Sequence, residues 1–354
     1  MHGELAGDEM PVTMRLSGNI QGFDVDYLFD YLMFLAKSLT IVLAIGAVIL
    51  MIVVAAVKPK SHKGELTFDD LSLEHQQLVD GLQQEMLDKK SYKSWLKQQK
   101  SDEKKPADKL FVIDFHGSMD AHEVESLREE VTAVLAVASP QDEVLIRLES
   151  GGGVVHGYGL AASQLDRLKQ RQIPLTIAVD KVAASGGYMM ACIADRIIAA
   201  PFAIVGSIGV VAQLPNFHKL LKRNHIDVEQ FTAGEFKRTV TLFAENTDKG
   251  REKFQQEMEQ THVLFKDFVL KHRPVLDISR VATGEHWFGY QAKELQLIDE
   301  LQTSDDYLLQ QLDKRQVFKV RYQLKKGLAE KVGLSAATAL QSLWQQAHRL
   351  VVWR

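Results

Sequence analysis

The sequence predicts an α/β fold carried behind an N-terminal membrane helix, and three observations lead there. From Leu110 onward, apolar β-rich runs alternate with amphipathic helical stretches, the order expected of a largely parallel sheet. From Leu39 to Val57, nineteen residues carry no charge; at 1.5 Å per residue they span the roughly 30 Å hydrocarbon core of a bilayer. Two of the strand-like runs end in glycine clusters, SGGG (150–153) and SGG (185–187), where a chain needs close backbone approach.

The chain has 354 residues, 46% hydrophobic and 25% charged, with a formal net charge of -4. That suits one sizeable α/β domain with appendages, or two domains. Mild acidity argues against a dedicated nucleic-acid binder. The single cysteine, Cys192, excludes an intramolecular disulfide and leaves the redox compartment open. Twelve histidines are scattered without HExxH spacing, so neither a metal nor another cofactor is expected.

Taken in order, residues 1–38 form a short N-terminal extension with no core of its own, and residues 39–57 a transmembrane helix. A cleaved signal peptide has a shorter apolar region and a small-x-small site, which AAVKPK matches poorly. Residues 58–109 are rich in Lys, Gln and Glu and read as a charged linker with one helical portion, LEHQQLVDGLQQEML (73–87). The main α/β domain is expected over 110–302. LFVIDFHG (110–117) reads as a buried strand, AHEVESLREEVTAVLAVA (121–138) as a helix, and VLIRLE (144–149) as a strand. After the SGGG turn come a helix (154–171), the strand IPLTIAVD (173–180), the serine turn, and strands within RIIAAPFAIVGSIGVVAQL (196–214). Pro201, Gly206, Ser207, Gly209 and Gln213 interrupt that last apolar stretch, which buried strands of a soluble core explain better than a second membrane span. Residues 249–273 form a long surface helix, and the tail 303–354 ends in an amphipathic segment rich in Trp and Arg. That segment suits either a neighbouring protomer or the membrane interface.

Ser185 sits in DKVAASGGY (180–188), at a strand-to-helix turn with almost no side-chain bulk around it. It can act as a helix N-cap or as an exposed nucleophile. A nucleophile needs an oxyanion hole and a base. Gly151, Gly152 and Gly153 could supply N–H groups for the first, or merely make a tight turn. For the base, His156 and His218 are available, with Asp180 and Asp195 flanking the serine, but no spacing joins them into a triad. Lys237 in TAGEFKRTVT (232–241) is the alternative, following the strand-like DVEQF. A lysine works as base only where desolvation or positive charge favours its free amine. Phe236 and Val240 offer apolar cover, and Arg238 adds charge.

DKVAASGGYMMA, RLESGGGVVHGYG, PFAIVGSIGV and TAGEFKR, followed by GEHWFGYQAKELQLIDE (284–300), together resemble the signal peptide peptidase A family of membrane serine proteases, peptidase family S49. The resemblance covers roughly residues 25–325. It implies a ClpP/crotonase-like spiral α/β fold and a Ser–Lys dyad with Ser185 as nucleophile and Lys237 as base. It further implies Gly151 and Gly152 as the first oxyanion turn, the Gly186 N–H as the second donor, and the Ser207 hydroxyl as a group orienting the lysine. The family usually has a proline in the first turn; its lack here implies a looser loop. Peptide or protein substrates, a bilayer, and a homo-oligomeric ring with the dyad shared between protomers are implied as partners, and the bacterial inner membrane as location. Lys58, Lys60 and Lys63 after the span put the catalytic domain in the cytoplasm by positive-inside counting; the related peptidases work mostly outside, and the extracytoplasmic side is the expectation. A crotonase-like acyl-CoA enzyme and a non-catalytic membrane scaffold remain the alternatives.

Overall fold

The computed structural model describes residues 23–56, 64–102 and 108–323. They fall into two units, one holding the N-terminal helix and the other, Lys63–Lys325, holding everything else described below.

The first unit contributes α1 (Phe23–Ala56), a single helix of 34 residues. It starts well before the expected Leu39, because the stretch YLFDYLMFLAKSL is itself dominated by residues with good helix propensity and apolar character. Its segment Tyr27–Gly46 is long and apolar enough to cross a bilayer, and none of that window is covered by protein. Such a helix fits a single-pass membrane anchor. Residues 1–22, the last expected span residue Val57, and the C-terminal amphipathic segment lie outside the described residues.

The second unit is an α/β fold, as expected. It opens with β1 (Glu65–Asp70), α2 (Leu71–Met86) and α3 (Lys89–Asp102), so the polar segment read as a linker carries a strand and two helices. Asp70 caps α2 by accepting the Leu73 N–H at 3.0 Å, which satisfies one orphan donor of the first turn. The alternating core follows: β2 (Lys109–Gly117), α4 (Val124–Val137), β3 (Glu143–Ser150), α5 (Val155–Gln170), β4 (Leu175–Val179), β5 (Val182–Ala184), α6 (Gly186–Ala191), β6 (Arg196–Ala199) and β7 (Ile204–Gly206). After it come α7 (His218–Arg223), α8 (Asp248–His272), α9 (Ile278–Val281), β8 (His286–Phe288), α10 (Gly289–Glu294), β9 (Glu300–Leu301), α11 (Ser304–Leu312) and β10 (Gln316–Gln323).

The main sheet runs β1-β10-β2-β3-β4-β6-β9, parallel except for the β1–β10 pair. A short second row, β5-β7-β8, branches from the end of β3. Strands β2, β3 and β4 are buried on both faces, which is why they read as continuous apolar runs rather than alternating ones. On one face, α4 buries Val124, Leu127, Val131 and Val134, a three- and four-residue spacing that makes one helical stripe. Beside it, α5 buries Tyr158, Ala161, Ala162, Leu165 and Leu168. A smaller cluster on the other face, including Leu110, Val112, Leu145 and Ile198, is covered by Tyr307, Leu308 and Leu312 of α11 and by Leu71 of α2. β1 and β10 extend this sheet on both sides of the expected domain limits. Residues 227–231, DVEQF, form no strand; the chain from Asn224 to Thr247 has neither helix nor strand and is largely exposed.

Candidate active site

Three parallel strands end side by side, and their ends make the site. Ser150, the last residue of β3, is paired with Ala183 of β5, and Ala184 of β5 is paired with Gly206 of β7. The residues that follow each strand, Gly151–Gly153, Ser185–Gly186 and Ser207, therefore emerge together, at the carboxyl ends where α/β sheets open toward ligands. They line one cavity of about 830 Å³. Val154, Met189 and Val210 contribute apolar wall from the same turns, and α8 closes the cavity with Leu264, Phe265 and Phe268.

Ser185 has φ 52° and ψ -117°, a region an L-residue enters only under local constraint. Its N–H donates to the Gly206 carbonyl at 2.8 Å, and its own carbonyl accepts the Met189 N–H at 2.9 Å as α6 begins. The side chain makes no capping bond, so the N-cap reading of this serine lacks its hydrogen bond. The half-buried hydroxyl faces the cavity instead. Both following glycines are required by packing: a Cβ at Gly186 would lie 2.4 Å from the Tyr158 ring, and one at Gly187 would lie 2.6 Å from the Ser150 carbonyl oxygen. The Gly186 N–H stands at the first position of α6, where a helix provides no internal acceptor.

The SGGG turn is pinned rather than loose. Ser150 is buried, its Oγ lies 2.5 Å from the Tyr158 hydroxyl, and it accepts the Gly152 N–H at 3.1 Å. The Tyr158 hydroxyl in turn donates to the Ser118 carbonyl at 2.8 Å. The expectation of a looser loop is corrected by this network: a buried serine and tyrosine provide the restraint that a proline ring would. It also engages the Gly152 N–H internally. Gly152 has φ 86°, and a Cβ there would sit 2.7 Å from both the Ser185 Cβ and the Gly186 nitrogen. The two glycine turns are thus in direct contact.

Ser207 also has positive φ, 50°, after Gly206 at 94°. Its N–H donates to the Glu285 carbonyl at 2.8 Å and its hydroxyl to the Gly284 carbonyl at 3.4 Å. Ser185, Gly151, Gly152, Gly186 and Ser207 are brought together; Lys237 is not among the cavity's lining residues. It is exposed, its N–H bonding the Gly234 carbonyl at 3.2 Å. Phe236 beside it is occupied by the ammonium groups of Lys249 and Lys253, each 5.6 Å from the ring centre.

The flanking acids and histidines are used elsewhere. Asp180 accepts from the N–H and hydroxyl of Ser304, and Asp195 accepts the Leu175 N–H and pairs with Lys169. His156 and His218 do not line the cavity; His262 of α8 does. In the sequence His262 lies inside what looks like an ordinary surface helix, so nothing nearby singles it out as a site residue. Its spacing to Phe265 and Val269 on the buried stripe is the signal that marks its face. Cys192 is no rival nucleophile: it is buried and burial pushes its thiol far up. Among the described residues no group of three or more His, Cys, Asp or Glu side chains is placed to hold a metal ion.

Comparison with known proteins follows the same residues. The N-terminal model of peptidase family S49 matches residues 26–165, and the peptidase family S49 model matches residues 167–321. A Haemophilus influenzae protein named "Probable protease SohB" is 53% identical over 331 residues, covering 88% of this chain and 93% of its own. A protein of the same name from Buchnera aphidicola of Schlechtendalia chinensis is 47% identical over 304 residues, 80% of this chain and 99% of its own. A Methanocaldococcus jannaschii protein named "Putative protease MJ0651" is similar over a shorter stretch, 33% identical over 168 residues, covering 47% of this chain and 53% of its own.

Proposed function

Because the chain belongs to peptidase family S49, we propose that it is a membrane-anchored serine endopeptidase with Ser185 as nucleophile and Lys237 as general base. The observation that carries this reading is the convergence of three parallel strand ends. They set the Ser185 hydroxyl, on a constrained turn, against two turns rich in glycine N–H groups within an apolar cavity.

The Ser185 oxygen attacks the scissile carbonyl while its proton passes to the free amine of Lys237. The N–H of Gly186 and those of Gly151 and Gly153 stabilise the tetrahedral oxyanion, whose charge is strongest in the transition state. Lys237 then gives its proton to the leaving amine, and water hydrolyses the acyl-enzyme. Ser207 orients the lysine by its hydroxyl. Since Lys237 is exposed on its own protomer and absent from its cavity wall, the lysine at each site comes from a neighbouring copy in a homo-oligomeric ring. Exposed apolar side chains on either side of α7, with Val211 91% and Phe231 88% exposed, support burial against such a copy.

The apolar cavity wall favours extended apolar substrates such as signal-peptide remnants or segments of membrane and envelope proteins. Helix α1 holds the enzyme in the bacterial inner membrane, with the catalytic unit on the extracytoplasmic side. A fluorophosphonate probe applied to the full-length protein in detergent tests the nucleophile. Labelling at Ser185 with loss of both labelling and peptide hydrolysis in Ser185→Ala is expected; wild-type hydrolysis by Ser185→Ala would refute the mechanism.

A further inference from the structure

We infer that His262 is a positioning residue for this site: its imidazole holds the turn that carries Ser207 and anchors the backbone of Ser185. The inference rests on Ser185 being the nucleophile.

Among the residues lining the cavity, His262 is the one with a titratable side chain. It projects from α8, an element otherwise lining the cavity with Thr261, Leu264, Phe265 and Phe268. Its Nε2 lies 3.2 Å from the carbonyl oxygen of Ile208. A carbonyl only accepts, so Nε2 carries the hydrogen and the neutral ring keeps its lone pair on Nδ1.

The turn it grips has two successive residues with positive φ, Gly206 at 94° and Ser207 at 50°. A serine stays in that region only when its surroundings over-determine the backbone. Two of the restraints are backbone bonds, Ser207 N–H to Glu285 and Ser185 N–H to Gly206, both 2.8 Å. His262 supplies a side-chain restraint from a separate element. The Ile208 side chain is fully buried, which leaves its carbonyl little freedom to reach another donor in place of His262. Releasing the imidazole frees the turn, and both serines move with it.

A base and a positioning donor make opposite demands at this residue. Glutamine retains an N–H donor on a flexible side chain and has no basic nitrogen. The test uses full-length protein in detergent, with peptide hydrolysis, fluorophosphonate labelling rate, thermal melting and oligomer size measured for His262→Ala, His262→Gln and Ser185→Ala. For His262→Ala, kcat and labelling rate are expected to fall about 10- to 100-fold with KM within about threefold. For His262→Gln, kcat should return to within about threefold of wild type. Wild-type turnover in His262→Ala overturns the inference, as does a folded His262→Gln no better than His262→Ala, which would assign the ring to proton transfer. If His262→Ala does not fold, a folded His262→Gln with a loss beyond about tenfold overturns it alone. Ser185→Ala separates the two claims. An active Ser185→Ala removes the nucleophile and this inference together, whereas an inactive Ser185→Ala beside a fully active His262→Ala removes this inference only.

Discussion

The backbone amide of Ser185 donates to the carbonyl of Gly206 across 2.8 Å, and the bond ties together two strand ends whose following serines both have positive φ. Ser185 has φ 52° and Ser207 φ 50°. One turn presents the hydroxyl proposed to attack, the other the Ser207 hydroxyl beside it on the same cavity, and the bond keeps their separation from drifting. Such precision comes from backbone pairing rather than side-chain packing: β5 and β7 are only three residues each, yet their register places both turns. The site's fine geometry is therefore most sensitive to backbone substitutions in the glycine turns.

Gly151 and Gly152, though adjacent, should respond in opposite ways to alanine. A Cβ at Gly152 collides with Ser185 and Gly186 at 2.7 Å on a residue with φ 86°, so Gly152→Ala should lose hydrolysis and destabilise the fold by about 1–3 kcal/mol. At Gly151 nothing lies within 4 Å of a new Cβ, so Gly151→Ala should keep its activity and gain up to about 1 kcal/mol from a less flexible unfolded chain. Thermal melts with a peptide assay decide it; equal behaviour of the two variants would refute the direct contact of the turns.

Tyr158 and Ser150 should act as one unit. Tyr158→Phe retains the ring packed on Gly186 but leaves the Ser118 carbonyl and Ser150 Oγ without the hydroxyl; Ser150→Ala strips the acceptor from the Gly152 N–H. Each should cost about 1–2 kcal/mol. In a double-mutant cycle read by denaturant unfolding, the pair should cost less than the sum by at least about 0.5 kcal/mol. Strict additivity would mean that the short contact carries no coupling.

Much of this was legible in the chain, for identifiable reasons. Strands β2 to β4 announce themselves because burial on both faces leaves continuous apolar runs, and the serine and glycine turns because local turn chemistry demands small residues. Strand β1 was hidden in ELTFDD, a half-exposed polar run whose partner, β10, is some 250 positions away: Leu66 pairs with Tyr322. DVEQF has strand-like composition but no neighbouring edge, and without a partner the propensity of Val and Phe decides nothing. The spacing of His262 to Phe265 and Val269 marks its face of α8, but that this face meets the cavity follows only from the packing of α8 across it. The restraint on the SGGG turn likewise depends on Tyr158 reaching back under it from α5.

Glu130 makes stability depend on pH. It is 5% exposed on α4 and accepts the Tyr322 N–H at 2.8 Å. Burial, outweighing that hydrogen bond, and the nearby Asp114 raise its carboxyl from 4.5 to about 7. The folded state thus binds a proton more tightly than the unfolded state. Its stabilising contribution is complete below about pH 4.5 and is lost as pH rises to about 7, a change of up to about 3 kcal/mol. Glu130→Gln, neutral at every pH and still able to accept from Tyr322, should flatten that slope and melt higher than wild type above pH 7. An unchanged pH profile of melting temperature would rule Glu130 out as its source.

The sharing of a site between copies is open to a mixing test. Lys237 is exposed on a segment without regular structure and does not line its own chain's cavity. If it completes the neighbour's cavity, Ser185→Ala and Lys237→Ala are each inactive alone. So is Lys237→Arg, because arginine keeps its proton. Co-expressed in equal amounts, the two alanine variants should regain hydrolysis, since a head-to-tail ring pairs the serine of one chain with the lysine of the next. About one interface in four then carries both intact residues, setting the expected recovery near a quarter of wild type. Co-expression is needed because anchored rings exchange subunits slowly, and differently tagged chains purified in tandem confirm that the rings are mixed. A dyad closed within one chain gives no recovery at any ratio. Zero activity in tandem-purified mixed rings would therefore place Lys237 at its own chain's Ser185, reached by a movement of the 224–247 segment, and would leave the Ser–Lys chemistry itself intact.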